Sequence, residues 1–414
     1  MTATDLLPAL KNPTEAERQL VDLFSAYNGD ENQRRSFDIF ALTGLPHRRM
    51  EQWKWSDVRQ AVTSLQDGSA NRPSDISAPD EAISIEFDGQ SWSFPDELPE
   101  GLGIFPRTGG HDFGQADRLP MGALTAAMTG HEPADTLIIE VSGKVAAPLS
   151  ITVRGGARSA SFGRLVFILR EESHLDLFEH YSGGAGLASY LVEFGLAEKA
   201  QVSRTILQEA STKDVTAITS TAHLAAEANF EQTTLAFGGK LTRIETHLEH
   251  KGENAKAVLN GAYLAASGYH VDFTTHVTHG AESCVTKQLT KGAVADGGRG
   301  IFQGKFLVPR TVGQFTDADM QHQALLLDNG AEIFAKPELE IYADDVECEH
   351  GNTSGQLDDE ALFYMQQRGL PKTEARALLT EAFIVEALEK AQDGIREQLI
   401  EATRKFLRRE REQA

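Results

Sequence analysis

"TRIETHLEH", residues 242–250, and "VDFTTHVTH", residues 271–279, each alternate with a period of two. Thr242, Ile244, Thr246 and Leu248 fall on one side of an extended chain and Arg243, Glu245, His247 and Glu249 on the other. In the second stretch Val271, Phe273 and Val277 oppose Asp272, Thr274 and His276. Side chains of a β-strand point alternately to its two faces, so both stretches read as strands with one buried and one wet face. "EIFAKPELEIY", residues 332–342, repeats the pattern, with Ile333, Ala335, Leu339 and Ile341 against Lys336, Glu338 and Glu340. Similar short segments rich in Val, Ile, Thr, Phe and Leu fill residues 83–342 without a clear series of Asn-Gly or Asp-Gly hairpins. That absence favours a wound structure of stacked coils, a parallel β-helix, over a sandwich or barrel. No strict repeat is visible to fix the choice.

Helical signals flank this region. Residues 14–27 carry a Thr14/Glu17 capping box and apolar Leu20, Val21, Leu23 and Phe24 at helical spacing. A second short helix is expected next, then "GLPHRRMEQWKWSDVRQ" at 44–60, then a polar, Ser- and Pro-containing linker over 66–80. At the other end, Leu362 and Met365, then Ala375, Leu378, Leu379, Ala382, Phe383 and Leu388 after Pro371, then Ile395, Leu399, Ala402 and Phe406, make three amphipathic helices. The chain therefore divides into a helical module and linker at 1–80, a β core at 81–355 and a helical module at 356–414.

The 414 residues include 39 Lys and Arg against 61 Asp and Glu, a net charge of −22. Such a field disfavours nucleic acid and anionic membranes as partners. The basic "RKFLRRERE" at 404–412 is interleaved with Glu and reads as a solvated helix end. The N-terminus shows neither a basic segment nor a sustained apolar one, and no run of 18 apolar residues occurs, so the expected location is the cytoplasm. Two cysteines, Cys284 and Cys348, make no disulfide framework and suit a reducing compartment.

Chemical motifs are sparse. "FGGKLT" at 237–242 and "GIFQGKFL" at 300–307 lack the glycine spacing and the Ser or Thr of a phosphate loop, so no nucleotide is expected on this chain. "SGGAGLAS" at 182–189 is a degraded dinucleotide fingerprint in β-rich surroundings and reads as a loop between coils. His247/His250 and His276/His279 are three apart, which on a strand sends each pair to opposite faces; stacked coils could still join His247 to His276, although ordinary surface histidines are the simpler reading. No Gly-x-Ser-x-Gly elbow or carboxylate pair is recognisable. Cys348 and His350 are two apart, so they share a face, with Glu349 on the other. They are too few for a closed metal site but suit half of a site completed by a partner, since iron-sulfur chemistry accepts thiolate and imidazole; the alternative is that Cys348 packs in the core and His350 caps a strand end. Cys284 reads as structural.

"GGRGIFQGKFLV" at 297–308, "QFTDADMQHQALLLDNGAEIFAKPELEIYADDVECEHG" at 314–351, "GQLDDEALFYMQQRGL" at 355–370 and "GLPHRRMEQWKW" at 44–55 together resemble the SufD family, in the SufB/SufD superfamily of the SUF iron-sulfur cluster assembly system. A SufB scaffold would be expected to be longer and to carry Glu-His-Glu where this chain has "CEHG". The resemblance implies a right-handed parallel β-helix core between N- and C-terminal helical modules. It implies pairing with a SufB-like scaffold, here expected at residues 333–346, and a SufC-like ABC-type ATPase docked on the C-terminal helices. ATP would then belong to the ATPase, and this chain would be a scaffold subunit and not an enzyme. The resemblance also places Cys348 and His350 near the scaffold interface, where a nascent iron-sulfur cluster forms transiently, and links the family to iron acquisition and to a reduced flavin, for which these residues hold no motif. Self-pairing into a homodimer is left open. The competing class, a β-helix enzyme acting on a polysaccharide or small substrate, would want acidic and aromatic residues along one long face, and aromatics are only 7% of the chain with 3 Trp.

Overall fold

The computed structural model describes residues 10, 12–69, 76–79, 81–110, 119–131 and 134–413, with side chains through residue 408. Part of the expected linker at 66–80 and the extreme N-terminus lie outside the described residues. Beyond residue 149 each strand passes over its successor and pairs with the next but one. Thus β12 (Leu241–His250) runs parallel to β14 (His270–His279), and β13 (Lys256–Ala265) to β15 (Val285–Val294). The result is two facing sheets, one of ten strands and one of nine, wound as a β-solenoid of about eight turns with helices at both ends. This is the stacked-coil architecture that the alternation favours. One hairpin does occur, around Asp88 and Gly89, pairing Phe87 with Trp92 antiparallel at the solenoid's first edge.

The corners explain how the coils stack. Glu172, Lys199, Glu227, Asn254, Ser283 and Phe315 adopt left-handed backbone with φ between 56° and 59°, recurring every 27 to 32 residues. For non-glycine residues this conformation costs roughly 1–2 kcal/mol. Each orients its N–H to the coil below: Lys199 donates to Ala226 O at 2.9 Å, Glu227 to Glu253 O at 2.9 Å and Phe315 to Asp345 O at 2.7 Å. The opposite corner uses glycine, with Gly268 N donating to Gly297 O at 3.3 Å and Gly297 N to Gly330 O at 3.2 Å.

The lumen is packed with apolar side chains, among them Phe167, Phe194, Phe230, Val271 and Phe302. It also holds charge. Arg204 is fully buried and lies 2.7 Å from Glu179 Oε2, with Ser220 and Gln232 accepting from its other nitrogen at 2.9 Å each. Burial alone would discourage its charge, but Glu179 reverses that and raises the Arg204 pKa.

Both outer faces are covered. Helices α1 (Glu15–Tyr27), α2 (Glu31–Thr43) and α4 (Pro120–Met128), with a 3-10 turn at Glu51–Trp53 and the short α3 (Val58–Ala61) between, set Leu20, Phe37, Trp53 and Leu124 against Leu187, Val215 and Leu241 of the nine-stranded sheet. The Thr14/Glu17 capping box forms as expected. At the other face, α6 (Lys372–Val385) and α7 (Asp393–Gln413), after α5 (Asp359–Gln367) and with a 3-10 turn at Glu386–Leu388 between them, bring Ile384, Leu388, Ile395 and Leu399 onto Leu207, Leu235 and Leu264 of the ten-stranded sheet.

This cover corrects the expectation of a wet outer face on β12 and β14. Arg243, Glu245 and Asp272 are buried, because the segment carrying Trp53 docks over them. The Arg243 guanidinium lies 3.9 Å from the Trp53 ring centroid, donates to Gln52 O at 2.7 Å, and pairs with Asp272 at 2.9 Å and Glu245 at 3.0 Å. Burial would raise the Glu245 carboxyl, yet Arg243 brings it down to about 2. A second correction concerns residues 332–342. Ile333, Ala335 and Leu339 of β18 (Glu332–Ile341) are only half-buried, since β18 is the last strand of its sheet.

Replacing Glu179 by Ala leaves Arg204 buried without its counter-charge and should lower stability by about 3–5 kcal/mol. Urea unfolding followed by circular dichroism checks this; the double change Glu179→Leu with Arg204→Met should cost markedly less.

Candidate functional site

The last coil ends in β19 (Glu347–Gly355), paired in parallel with β17 (Asp317–Leu326). The register sets Ala318 beside Cys348, Met320 beside His350 and His322 beside Asn352. Ala318, Met320 and His322 are fully buried. Cys348 is half-buried and packs against the lumen core. His350 follows two residues on, on the same side, and is exposed, because among the described residues β19 ends its sheet. Glu349 stands beside Asp319 on the other side, in the row that holds the ion pair of Lys287 with Asp317 at 2.8 Å. A thiol and an imidazole thus share the open rim of the solenoid.

Burial raises the Cys348 pKa, and the nearby Asp317 carboxylate raises it further. The thiol therefore holds its proton until a cation or a partner lowers that cost. Among the described residues no three His, Cys, Asp or Glu side chains are grouped to hold a metal, so Cys348 and His350 offer two donors and no closed cage. Cys284 is buried in the core, its Sγ 3.4 Å from Gly252 O and its pKa pushed up to about 11 by burial. That is the environment of an inert structural thiol.

A polar relay next to the rim was not recognised in the sequence. Tyr263 Oη lies 2.9 Å from His322 Nε2, and His322 Nδ1 lies 2.7 Å from Asn352 Oδ1. The amide oxygen of Asn352 accepts only, so Nδ1 carries the proton and Nε2 accepts from the tyrosine. Burial holds the His322 pKa down to about 4 against the opposing bond to Asn352. Gly292 and Gly300 leave room for the Tyr263 ring, since a Cβ at either would stand 2.4 Å or less from its atoms. The available signal was the alternation of 317–322, which sets His322 in phase with Ala318 and Met320.

The other flagged residues separate as the strand period requires. His250 and His279 point into the core, stacked 5.0 Å apart, while His247 and His276 meet on the outer face, side by side in register with ring centroids 5.6 Å apart. "FGGKLT" is a corner leading into β12, and "GIFQGKFL" lies within β16 (Arg299–Val308). Neither is a loop at a helix N-terminus, the setting a phosphate loop needs. Gly183 and Gly184 form the corner before a strand at 185–196. No helix among the described residues is long and apolar enough to cross a membrane.

The sequence matches the SufBD core domain of the SUF system for FeS cluster assembly over residues 151–383, more than half of the 414 residues. The chain belongs to the SufBD family of iron-sulfur cluster assembly proteins. The matched span takes in the stacked coils, the Cys348/His350 rim and most of α6. Among SufBD relatives, the iron-sulfur cluster assembly protein SufD of Escherichia coli is 35% identical over 178 residues, 43% of this chain and 42% of that protein. An iron-sulfur cluster assembly SufBD family protein of Mycobacterium tuberculosis is 27% identical over 378 residues, 89% of this chain and 90% of its own length. Another, from Synechocystis, is 33% identical over 202 residues, covering 48% and 44%. The chain thus matches less than half the length of the SufD and Synechocystis proteins and nearly the whole of the mycobacterial one.

Iodoacetamide at pH 8 should alkylate Cys348 of the folded protein slowly and leave Cys284 unmodified. Because the Cys348 pKa is raised, its rate should keep climbing above pH 9, and Asp317→Asn should accelerate it at pH 8; peptide mass spectrometry over time measures both.

Proposed function

We propose that this SufBD chain is a SufD-like scaffold subunit that joins a SufB-like scaffold at the open last coil and gives Cys348 and His350 to a nascent iron-sulfur cluster formed between the two. The observation that carries the reading is the rim itself: a thiol and an imidazole on one side of the terminal strand, beside sheet edges that end without a partner among the described residues. A parallel edge of this kind offers a row of unpaired N–H and C=O groups to another chain. Ile341, Tyr342 and Phe315 are exposed around it, supplying the apolar surface that an interface buries. Iron is the cargo here, and two soft or borderline donors hold it weakly enough for transfer once a partner supplies the remaining ligands.

A SufC-like ATPase fits the C-terminal helices, in a narrower place than their sequence suggests. Ile384, Ile395 and Leu399 are spent on the ten-stranded sheet, whereas Phe363 and Tyr364 of α5 are 63% and 60% exposed and Leu378 of α6 is also exposed. Removal of everything after Gly355 would uncover the sheet's apolar face, so point changes are the cleaner probe. In this reading ATP is bound by the partner, the chain acts without catalysis of its own, and both free cysteines suit a reducing cytoplasm. Reduced flavin, if the complex uses it, is not held by a motif in these residues.

Cys348→Ser and His350→Ala, made separately in the complex co-expressed with both partners, should leave assembly intact and lower the iron and sulfide retained after anaerobic reconstitution, His350→Ala the more strongly. Unchanged cluster yield in both variants sinks the shared-site reading. Phe363→Ala with Tyr364→Ala should weaken ATPase capture by about tenfold or more, as loss of aromatic anchors does.

A further inference from the structure

His247 and His276 stand side by side on β12 and β14 at the floor of a cavity of about 430 Å³, roofed by residues 50–53 of the N-terminal module. Their ring planes are inclined by 59°. The Nε2 atom of each ring is buried and has no hydrogen-bond partner among the described residues. The nearest carboxylate oxygen, Glu245 Oε2, is 3.7 Å from His247 Nε2 and is already bound by Arg243 at 3.0 Å. A buried polar atom without a partner costs about 1–3 kcal/mol, and here the two rings that carry such atoms line the same cavity. A neutral imidazole has a nitrogen lone pair to give.

The charge around the cavity selects the kind of ligand. Lys305 is held by Glu340 at 2.7 Å, and Lys336 by Glu51 at 2.9 Å and Glu338 at 3.0 Å. Three carboxylates against two ammonium groups leave the lining net negative, which favours a cation over an anion. Two imidazoles suit borderline transition ions and not calcium or magnesium, which take oxygen donors. We propose that His247 and His276 form a two-imidazole site for a divalent transition-metal ion, facing the cavity beneath residues 50–53, with the remaining coordination positions filled by water. The site joins two adjacent coils beneath a segment of the N-terminal module. It is separate from the rim, since His276 lies on β14 and Cys348 on the terminal strand.

The experiment uses the full chain carrying Cys348→Ser and His350→Ala, which removes the rim donors and keeps the two readings distinguishable. Titration with Co²⁺, followed by its visible absorption, should show one equivalent bound. His247→Gln or His276→Gln in that background should weaken binding by at least about tenfold, the loss that an outer-shell partner alone can cause, whereas His223→Gln should leave it unchanged. Circular dichroism checks that each variant is folded. In the unsubstituted chain, Zn²⁺ should protect both His247 and His276 from diethyl pyrocarbonate, mapped by mass spectrometry, a readout that needs no variant. Equal Co²⁺ affinity with and without the two histidines, or no protection by Zn²⁺, overturns the site.

Discussion

Everything in this fold depends on hydrogen bonds that run from coil to coil through the corners as well as along the strands. An ordinary sheet loses its ladder at each turn. Here the left-handed residue at one corner, Lys199 or Glu227, orients its N–H onto the carbonyl of the next coil. The strain of six non-glycine residues at this corner is offset because each would otherwise leave a donor unpaired. Since the corners are locked, the register cannot slip, and residues at equivalent coil positions stack into columns. Thr286, Ala318 and Cys348 form one such column, and Gln288, Met320 and His350 the next. The rim pair inherits its placement from coils above it.

Buried charge gives the solenoid and its cover specificity more than strength. Pairs such as Arg204 with Glu179 gain little net stability over an apolar filling, but they penalise any packing that separates the partners. The same logic joins the N-terminal module to the sheet. Arg243 is held by two carboxylates, a carbonyl and the Trp53 face at once, and Ser56 adds bonds to Asp272 and His270. A different docking of the module would strand a guanidinium or a carboxylate. The "EQWKWS" segment is therefore a structural key, whose Trp53 and Ser56 are its teeth.

Much of the fold was legible in the sequence because a period of two survives wherever the lumen selects apolar residues, as in 242–250 and 271–279. The capping box at Thr14 and the three C-terminal helices were legible for the same local reasons. The coil repeat was not, since one corner uses Glu, Lys, Asn, Ser and Phe in a conformation that sequence signals assign to glycine. Outer faces misled in the opposite direction. Arg243, Glu245 and Asp272 carry the chemistry of a wet surface and are buried only because a module distant in sequence covers them. Of the site, the shared side of Cys348 and His350 followed from their spacing. The Tyr263–His322–Asn352 relay did not, for it joins three coils and no local pattern connects them.

The two ends of the solenoid differ in a way that bears on function. At the first end the sheets finish in antiparallel strands, β2 (Trp92–Ser93) and β3 (Leu102–Pro106), and the short, twisted pairing blunts the edge. At the last end β18 and β19 finish parallel, with full-length strands and half-buried Ile333, Leu339 and Cys348. Pro337 lacks an N–H, and Lys336, Glu338 and Glu340 add charge to the β18 edge, which are devices that discourage indiscriminate pairing. β19 has no proline and alternates Glu347 and Glu349 with its inward residues, so its protection is charge alone. A partner of complementary charge overcomes that protection, whereas a second acidic edge does not. The edge that carries the thiol and the imidazole is thus also the one whose defence a suitable partner can neutralise.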